Sequence, residues 1–190
     1  DLHSFPTRRS SDLSLSVISQ LSPFLLCILF AVFMQIDANF INDYFDFKKG
    51  TDREDRLGPE RACAQGWITP RAMQWGIAVM TLLSCLVGMV ILLLHLQWEL
   101  LLVGLFCVCF CFLYTTHLSY LGWGDLLVLI FFGFIPVVFT HYVMTDGAWG
   151  IPLLIASFAM GLATDNLLMV NNYRDRHQDL LSGKRTIIVR

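Results

Sequence analysis

The sequence predicts an all-α fold, a polytopic bundle of transmembrane helices, on three observations. Hydrophobic residues make up 56% of the 190 residues and charged residues only 15%, with a mean hydropathy of +0.62, whereas a soluble domain is about 25% charged. The hydrophobic residues lie in long runs, which is typical of segments that cross a bilayer. No Lys or Arg occurs between Ala72 and Tyr173, and a water-exposed fold would not leave so long a stretch without a cation.

Five apolar segments have the length that a helix needs to cross the hydrocarbon, roughly 20 residues. Helices are expected because the backbone polar groups of a membrane segment must be satisfied within that segment. Tryptophans lie near several of the proposed ends, as interfacial anchors do. Gly133 and Pro136 lie inside the fourth segment and can kink it. In chain order the predicted spans are residues 21–41, 72–94, 99–116, 123–144 and 149–170.

The distribution of cations predicts the orientation of these spans. Of the thirteen Lys and Arg residues, six lie in residues 48–71 and five in residues 174–190, at the two ends of a stretch that holds four spans. Cytoplasmic loops of membrane proteins carry an excess of positive charge, so both segments are expected on the cytoplasmic side of the cell inner membrane. The turns near residues 95–97 and 145–148 carry no cation and are expected to face outward.

Composition also limits the function and the domain organisation. The net charge is −2 and the basic residues stand beside acidic ones, so no basic face is predicted and no nucleic acid is expected as a partner. The six cysteines have no zinc-site spacing and are interpreted as small apolar side chains. Residues 1–13 are left unassigned, as non-native sequence or a truncated end, and the membrane domain is assigned to residues 14–190.

The first of two polar motifs follows the first predicted span. It reads NFINDYFDFKKG, from Asn39 to Gly50. Residues three or four apart share a face of a helix, so Asn39, either Asn42 or Asp43, and Asp46 are expected on one face. Asn42 and Asp46 are four apart, and their oxygens can converge on one ligand.

The second motif follows the fifth predicted span and has similar spacing. It reads NNYRDRHQD, from Asn171 to Asp179, and continues as LLSGKRT. Asn171, Asp175 and Asp179 are each four residues apart and form a stripe on one helix face. The matched spacing and the shared side of the membrane favour a common role over ordinary surface charge.

Carboxylates stacked at the end of a membrane span repel one another and are costly unless they are paired, hydrated or bound to a cation. Mg²⁺ prefers oxygen ligands and takes one or two carboxylates together with phosphate oxygens of a substrate. Nearby Lys and Arg would hold the same phosphates from the other side. The pattern predicts Mg²⁺ and a diphosphate between the two motifs, with Asn42, Asp46, Asp175 and Asp179 as metal ligands.

These residues resemble the UbiA superfamily of intramembrane prenyltransferases, and more narrowly its 1,4-dihydroxy-2-naphthoate branch. The similar segments are NDYFDFKKGTDREDRLGP with AQGWITPRA, then YLGWGDLLVLIFFGFIPV, then NNYRDRHQDLLSGKRT. The resemblance covers about residues 21–190. It implies a UbiA-like bundle of which about five spans of a nine-span fold are present, with one span before residue 21 and about three after residue 190.

The resemblance also implies an activity, the Mg²⁺-dependent transfer of a polyprenyl group from its diphosphate to 1,4-dihydroxy-2-naphthoate in menaquinone biosynthesis. The partners implied are the polyprenyl diphosphate, the aromatic acceptor and the lipid bilayer. The metal and nearby cations would stabilise the departing diphosphate, and the ring would attack the allylic carbon with loss of CO₂. The candidate catalytic residues are Asn42, Asp43, Asp46, Asp175 and Asp179. The candidate substrate-binding residues are Asn39, Lys48, Lys49, Tyr114, Asn171, Arg174, Lys184 and Arg185.

Alternatives stay open for several residues. A role as positive-inside anchors explains four of the basic residues equally well: Lys48, Lys49, Lys184 and Arg185. Tyr114 fits an interface aromatic as well as a ring that flanks a carbocation. Asp125 either caps a helix or borders the acceptor. His141 and Asp165 are interpreted as hydrogen-bonding groups inside the bundle.

Three rival functions are weighed against the transferase. A UbiA-type enzyme could use another aromatic acceptor, such as 4-hydroxybenzoate, homogentisate or a porphyrin-derived compound, because spacing does not reveal pocket shape. An ion-coupled transporter would carry its acids near mid-span, whereas these lie at the ends of spans. A non-catalytic scaffold does not explain two matched acidic stripes.

Overall fold

The computed structural model describes residues 10–50, 58–145 and 147–189, with side chains from residue 21 onward. The described part of the chain is helical throughout and contains no strand. Two short π-helical segments, π1 and π2, interrupt the third and fourth spans. The elements are α1 Ser10–Lys49, α2 Pro70–His95, α3 Trp98–Leu113, π1 Tyr114–Leu118, α4 Gly124–Val128, π2 Leu129–Phe134, α5 Ile135–Met144 and α6 Ile151–Ser182.

Five helical stretches in the described residues are long and apolar enough to cross a membrane, which confirms the predicted all-α multi-pass bundle. The first and last run further than predicted, because α1 continues to Lys49 and α6 to Ser182. Each polar motif therefore lies in the last turns of a spanning helix, as the predicted helix faces require. The five stretches are Leu21–Lys49, Pro70–His95, Trp98–Leu118, Gly124–Met144 and Ile151–Ser182.

The outer surface of the bundle is apolar. Leu93 is 64% exposed, Leu102 68% and Ile155 65%, and many similar side chains cover the spans. Soluble proteins rarely expose such large continuous apolar surfaces. In a bilayer the same side chains contact lipid, so their exposure is the expected condition of a membrane bundle.

A close helix crossing fixes the fourth span against the fifth. A Cβ atom on Gly133 of π2 would lie 2.5 Å from the Cα of Gly161 and 2.6 Å from the carbonyl oxygen of Ser157, both in α6. Small residues allow membrane helices to approach to backbone contact. Pro136 lies just beyond π2, and the N–H of Ile135 bonds five residues back to Ile130. The fourth span thus departs from regular α-helix where Gly133 and Pro136 indicate a distortion.

The polar motifs lie at the same end of the bundle. The backbone N–H of Arg185, just after α6, donates to the carbonyl oxygen of Tyr120, which follows π1, at 3.1 Å. The ammonium of Lys49, the last residue of α1, donates to the carbonyl oxygen of Thr115 in π1 at 3.1 Å. Val143 packs with Ile91 toward the opposite end, where the turns after α2 and α5 lie. This arrangement agrees with the prediction that both motifs lie on one side of the membrane.

Candidate functional site

Two residues of the first motif face the connection between α3 and α4. The side-chain carbonyl of Asn42 accepts a hydrogen bond from the hydroxyl of Thr115 in π1. The hydroxyl of Tyr120 donates to Oδ1 of Asp46 at 3.5 Å, a long contact. The four-residue spacing therefore puts Asn42 and Asp46 on one face, as predicted, and both are held by the segment that follows α3.

Asp43 has a different environment from its neighbours. Its carboxylate is buried, at 7% exposure, and its two oxygens accept the backbone N–H groups of Ala62 at 3.0 Å and Cys63 at 3.1 Å. A carboxylate with both oxygens on the backbone fastens the loop after α1 to the helix. We assign Asp43 a positioning role. Asn39 is exposed and donates to the carbonyl oxygen of Gln35 in its own helix at 3.0 Å.

The two adjacent lysines at the end of α1 differ in their contacts. The ammonium of Lys49 donates to the carbonyl oxygens of Thr115 at 3.1 Å and Thr116 at 2.9 Å. It also lies 3.8 Å from the ring centroid of Tyr120, within cation–π distance. Lys48 is exposed, with its ammonium 6.0 Å from the ring centroid of Tyr44. Lys49 therefore fixes π1, whereas Lys48 extends from the surface at the same end of the bundle.

In the second motif, two acids pair with cations from the same stretch of chain. Arg174 binds the carboxylate of the next residue, Asp175, with two parallel hydrogen bonds of 2.7 and 2.8 Å. The ammonium of Lys184 lies 3.8 Å from Oδ1 of Asp179. Asp179 is buried at 5% exposure, while Asn171 is half-buried and Arg185 exposed. The acids of this motif thus stand beside cations from the same stretch of chain.

A cleft of roughly 550 Å³ lies where the ends of α1 and α6 meet the segment that follows α3. Lys49 and Gly50 line it from α1, and Gln178 and Leu181 line it from α6. Tyr114 lies within electrostatic range of both Asp46 and Asp179, and Lys49 lies within that range of Asp46 and Lys184. The cleft also contains Thr116, Tyr120 and Ser182. Its size falls in the usual range for small-molecule sites.

Sequence reasoning missed four residues of this region. Asn172 is buried at 6% exposure and stands seven residues, about two helical turns, before Asp179. That spacing was a usable signal, although the four-residue pattern favours Asn171. Thr115, Tyr120 and Gln178 have no local signal, because tertiary packing alone brings them to the motifs. Tyr114 lines an internal pocket with Asn172, so it is not simply an exposed interface aromatic.

Comparison with known proteins agrees with this arrangement. Residues 13–190 match the UbiA prenyltransferase family. The chain belongs to this family. The resemblance seen in the two motifs is thereby confirmed over nearly the whole sequence.

Relatives within the UbiA family carry a more specific name. The chain is 34% identical over 175 residues to a 1,4-dihydroxy-2-naphthoate octaprenyltransferase of Haemophilus influenzae, and 34% identical over 175 residues to the enzyme of that name from Escherichia coli. It is 36% identical over 169 residues to the one from Mycobacterium tuberculosis. Each match covers 87% of this chain but only 56% or 57% of the relative. No solved structure matches the chain at a significant level.

The UbiA family is generally metal-dependent, and the oxygen atoms of this site suit a hard cation. Within the described ranges, no three His, Cys, Asp or Glu side chains are gathered closely enough to hold an ion by themselves. Mg²⁺ in substrate-phosphate sites takes only one or two carboxylates and completes its shell with phosphate oxygens and water. Carboxylates divided between two helix ends, Asp46 on α1 and Asp179 on α6, fit that coordination. The predicted ligands of such an ion are Asn42, Asp46, Asp175 and Asp179, and this assignment stays a prediction.

Proposed function

We propose that the full-length protein containing this chain transfers a polyprenyl group from its diphosphate to 1,4-dihydroxy-2-naphthoate, with loss of CO₂, in menaquinone biosynthesis. One observation carries the proposal: in a UbiA-family bundle, the ends of α1 and α6, the helices that bear the two acidic motifs, line one cleft. The naphthoate acceptor is supported by the names of the relatives. The chain spans about half of the length of these relatives, so the activity is proposed for the full-length protein.

The diphosphate is bound between the two motifs. Arg174 and Lys184 lie beside Asp175 and Asp179, so the second motif offers cations as well as carboxylates to a phosphate ligand. Lys48, exposed at the end of α1, offers a further cation. Bound Mg²⁺ supplies charge neutralisation to the diphosphate as it departs. Asn42, held by Thr115, and Asp46, held by Tyr120, are pre-oriented for that ligand.

The reaction breaks the allylic C–O bond and forms a bond from that carbon to the ring. The electron pair of the broken bond leaves with the diphosphate, and the carboxylate of the acceptor departs as CO₂, which restores the aromatic ring. Tyr114, between the two motifs, offers its ring face to the developing allylic cation. Water would capture that cation as an alcohol, so a lipid-embedded bundle favours transfer by keeping the site dry.

The motif-bearing end is proposed to face the cytoplasm. It carries the cations after α1 and after α6, while the turns at the other end carry none. The excess of positive charge in cytoplasmic loops supports this orientation. A cysteine-labelling experiment on the turns after α2 and α5 tests it, with labelling by a membrane-impermeant reagent expected from the outside.

The test of the activity supplies the full-length protein, in membranes, with labelled polyprenyl diphosphate and several aromatic acids. We expect a prenylated, decarboxylated naphthoate as the product, and its loss when EDTA removes divalent cations. Asp46→Ala and Asp179→Ala should each lower turnover by at least about 100-fold, since each removes charge stabilisation that acts in the transition state. Both variants should still insert into the membrane.

Glu99→Gln is the matched control, because Glu99 lies in the first turn of α3 at the opposite end of the bundle. It should keep wild-type turnover. Unchanged activity in both aspartate variants would exclude the site. A prenylated product from 4-hydroxybenzoate or homogentisate, with none from the naphthoate, would retain the transferase but replace the acceptor.

A further inference from the structure

The segment that follows α6 lies against the connection between π1 and α4. The backbone N–H of Arg185 donates to the carbonyl oxygen of Tyr120 at 3.1 Å. The N–H of Lys184 donates to the carbonyl oxygen of Asp179 at 2.9 Å, which closes the end of α6. We call residues 183–186 the strap. It carries Lys184 from the second motif toward the start of α4.

A small internal pocket lies between the strap and α4. Asp125 of α4 and Thr186 of the strap line it, together with Tyr114, Asn172 and Lys184. Its volume is about 10 Å³, which is enough for one water molecule and far too little for an aromatic ring. The pocket therefore does not hold the acceptor, and it gives no support to the prediction that Asp125 borders that substrate.

Asp125 brings an unsatisfied acceptor to this pocket. The residue is 8% exposed, and its Oδ1 has no hydrogen-bond partner among the described residues. Helix α4 begins at Gly124 and its N-cap is Trp123, so Asp125 lies inside the helix and does not cap it. A buried carboxylate oxygen without a donor is costly unless water supplies one.

Thr186 brings a second unsatisfied group, from the strap. It is 4% exposed, and its Oγ1 finds no partner within the described part of the chain. A carboxylate only accepts, whereas a hydroxyl and a water molecule both donate and accept. One water can therefore bond Asp125 and Thr186 together. Buried waters make about three hydrogen bonds, and Asn172 and Tyr114 add polar groups to the same pocket.

Water suits this pocket better than a metal ion of similar size. Lys184 lines the pocket, and its positive charge repels a second cation. Hard divalent cations also take about six or more oxygen ligands, whereas Asp125 is the only carboxylate among the described residues that line the pocket.

We propose that Asp125 and Thr186 bind one buried water, and that this bridge fixes the strap so that Lys184 stays beside Asp179. Lys184 lines the same pocket, and its ammonium lies 3.8 Å from Oδ1 of Asp179. A shift of the strap would thus move this cation away from the second motif. Asp125 and Thr186 are positioning residues that act through Lys184, and only that role rests on the proposed function.

Hydrogen exchange of the purified full-length protein tests the bridge whether or not the protein transfers a prenyl group. Thr186→Val removes the hydroxyl at nearly constant volume. The amides of Lys184 and Arg185 should then exchange at least about fivefold faster, because a buried hydrogen bond no longer opposes opening of the strap. Asp125→Leu should have the same effect. Thr186→Ser, which keeps the hydroxyl, should exchange like wild type.

Thr164→Val is the matched control. The hydroxyl of Thr164 donates to the carbonyl oxygen of Met160 in its own helix at 3.0 Å, so its loss should leave exchange in the strap unchanged. Equal acceleration in Thr164→Val, or wild-type exchange in Thr186→Val, would overturn the bridge. If Asp125→Leu does not fold, the comparison of Thr186→Val with Thr186→Ser still decides.

Substrate binding tests whether the bridge acts through Lys184. With Mg²⁺ present, Thr186→Val should weaken the affinity for polyprenyl diphosphate by about three- to tenfold, while KM for the aromatic acceptor stays within about twofold of wild type. Adding Thr186→Val to Lys184→Met should have no further effect, because residues that act through one group are not additive. Additive losses would overturn the positioning of Lys184.

A high-resolution structure of the full-length protein identifies the bridging group. One water should lie within about 3.2 Å of both Oδ1 of Asp125 and Oγ1 of Thr186. A direct bond between the two side chains, or a metal ion between them, would overturn the bridge. The two proposals fail separately: an intact bridge without prenyl transfer would contradict the proposed function alone, and prenyl transfer with unchanged exchange in Thr186→Val would contradict the bridge alone.

Discussion

The two acidic motifs have matching spacing in the sequence but are held in different ways in the fold. In the first motif, distant parts of the chain hold the side chains: Thr115 bonds Asn42, Tyr120 bonds Asp46, and the loop backbone bonds Asp43. In the second, two acids form ion pairs with cations close by in the sequence. Arg174 binds its neighbour Asp175, and Lys184 reaches back five residues to Asp179.

The two motifs therefore differ in structural role, although their spacing in the sequence is similar. Long-range contacts place the first motif against π1, so its geometry depends on how α1, the following loop and α3 pack together. In the second motif, Arg174 and Lys184 place positive charge beside Asp175 and Asp179. We infer that damage to the first motif disturbs folding and geometry, while damage to the second acts mainly on ligand binding.

The largest expected effect is on stability, from Asp43→Ala. The substitution leaves the N–H groups of Ala62 and Cys63 without the carboxylate that accepts them, in a buried site. We expect the free energy of unfolding to fall by about 3 kcal/mol, from two lost bonds to a charged acceptor. Denaturant titration of the purified protein in detergent measures it.

Asp175→Ala is the matched variant in the second motif. Its carboxylate side chain is 19% exposed and is paired with the adjacent Arg174, so the cost in stability should stay below about 1 kcal/mol. Polyprenyl diphosphate binding should weaken instead. Equal destabilisation of the two variants would contradict the division of tasks between the motifs.

The spans and the acidic helix faces could be predicted, because each depends only on residues that are close together in the sequence. Runs of apolar residues determine a membrane helix wherever they occur, and i, i+4 spacing determines a shared face once the segment is helical. The helices continue through both motifs, so Asn42 and Asp46 share a face as predicted. The resemblance to the UbiA family could be recognised from the same segments of sequence.

The supporting residues could not be predicted, because they depend on the path of the chain between the motifs. Thr115 and Tyr120 reach the first motif through π1, and a single sequence gives no clear signal for such a wide turn. Asp43 is a second example of this limit. Its place in the motif suggests ligand binding, whereas the fold turns it toward the loop backbone. The burial of Asp125, which is 8% exposed, likewise has no signal in the neighbouring residues.

A second comparison concerns the adjacent Lys49 and Lys48, whose variants should have different consequences. Lys49→Met removes the donor to two carbonyl oxygens of π1 while keeping an apolar stem. Thr115 then loses part of its support for Asn42, and we expect turnover to fall about tenfold. The melting temperature should fall with it.

Lys48→Met should act on the substrate instead. The exposed ammonium of Lys48 has no role in fixing π1, so the variant should raise KM for the polyprenyl diphosphate with little change in melting temperature. Steady-state kinetics and thermal unfolding of both variants measure the contrast. The assignment of Lys49 is wrong if its variant changes KM alone.

The smallest effect expected is that of Tyr120→Phe, which removes the long hydroxyl contact to Asp46. A hydrogen bond at 3.5 Å is weak, so turnover should fall by about two- to threefold. The ring stays beneath the ammonium of Lys49. Tyr120→Leu removes the ring as well, and the lost cation–π contact, about 0.5 to 1 kcal/mol at an exposed site, should add a further two- to fivefold loss. If the two variants behave alike, the ring does not help Lys49 to hold π1, and the carbonyl bonds of Lys49 alone support the first motif.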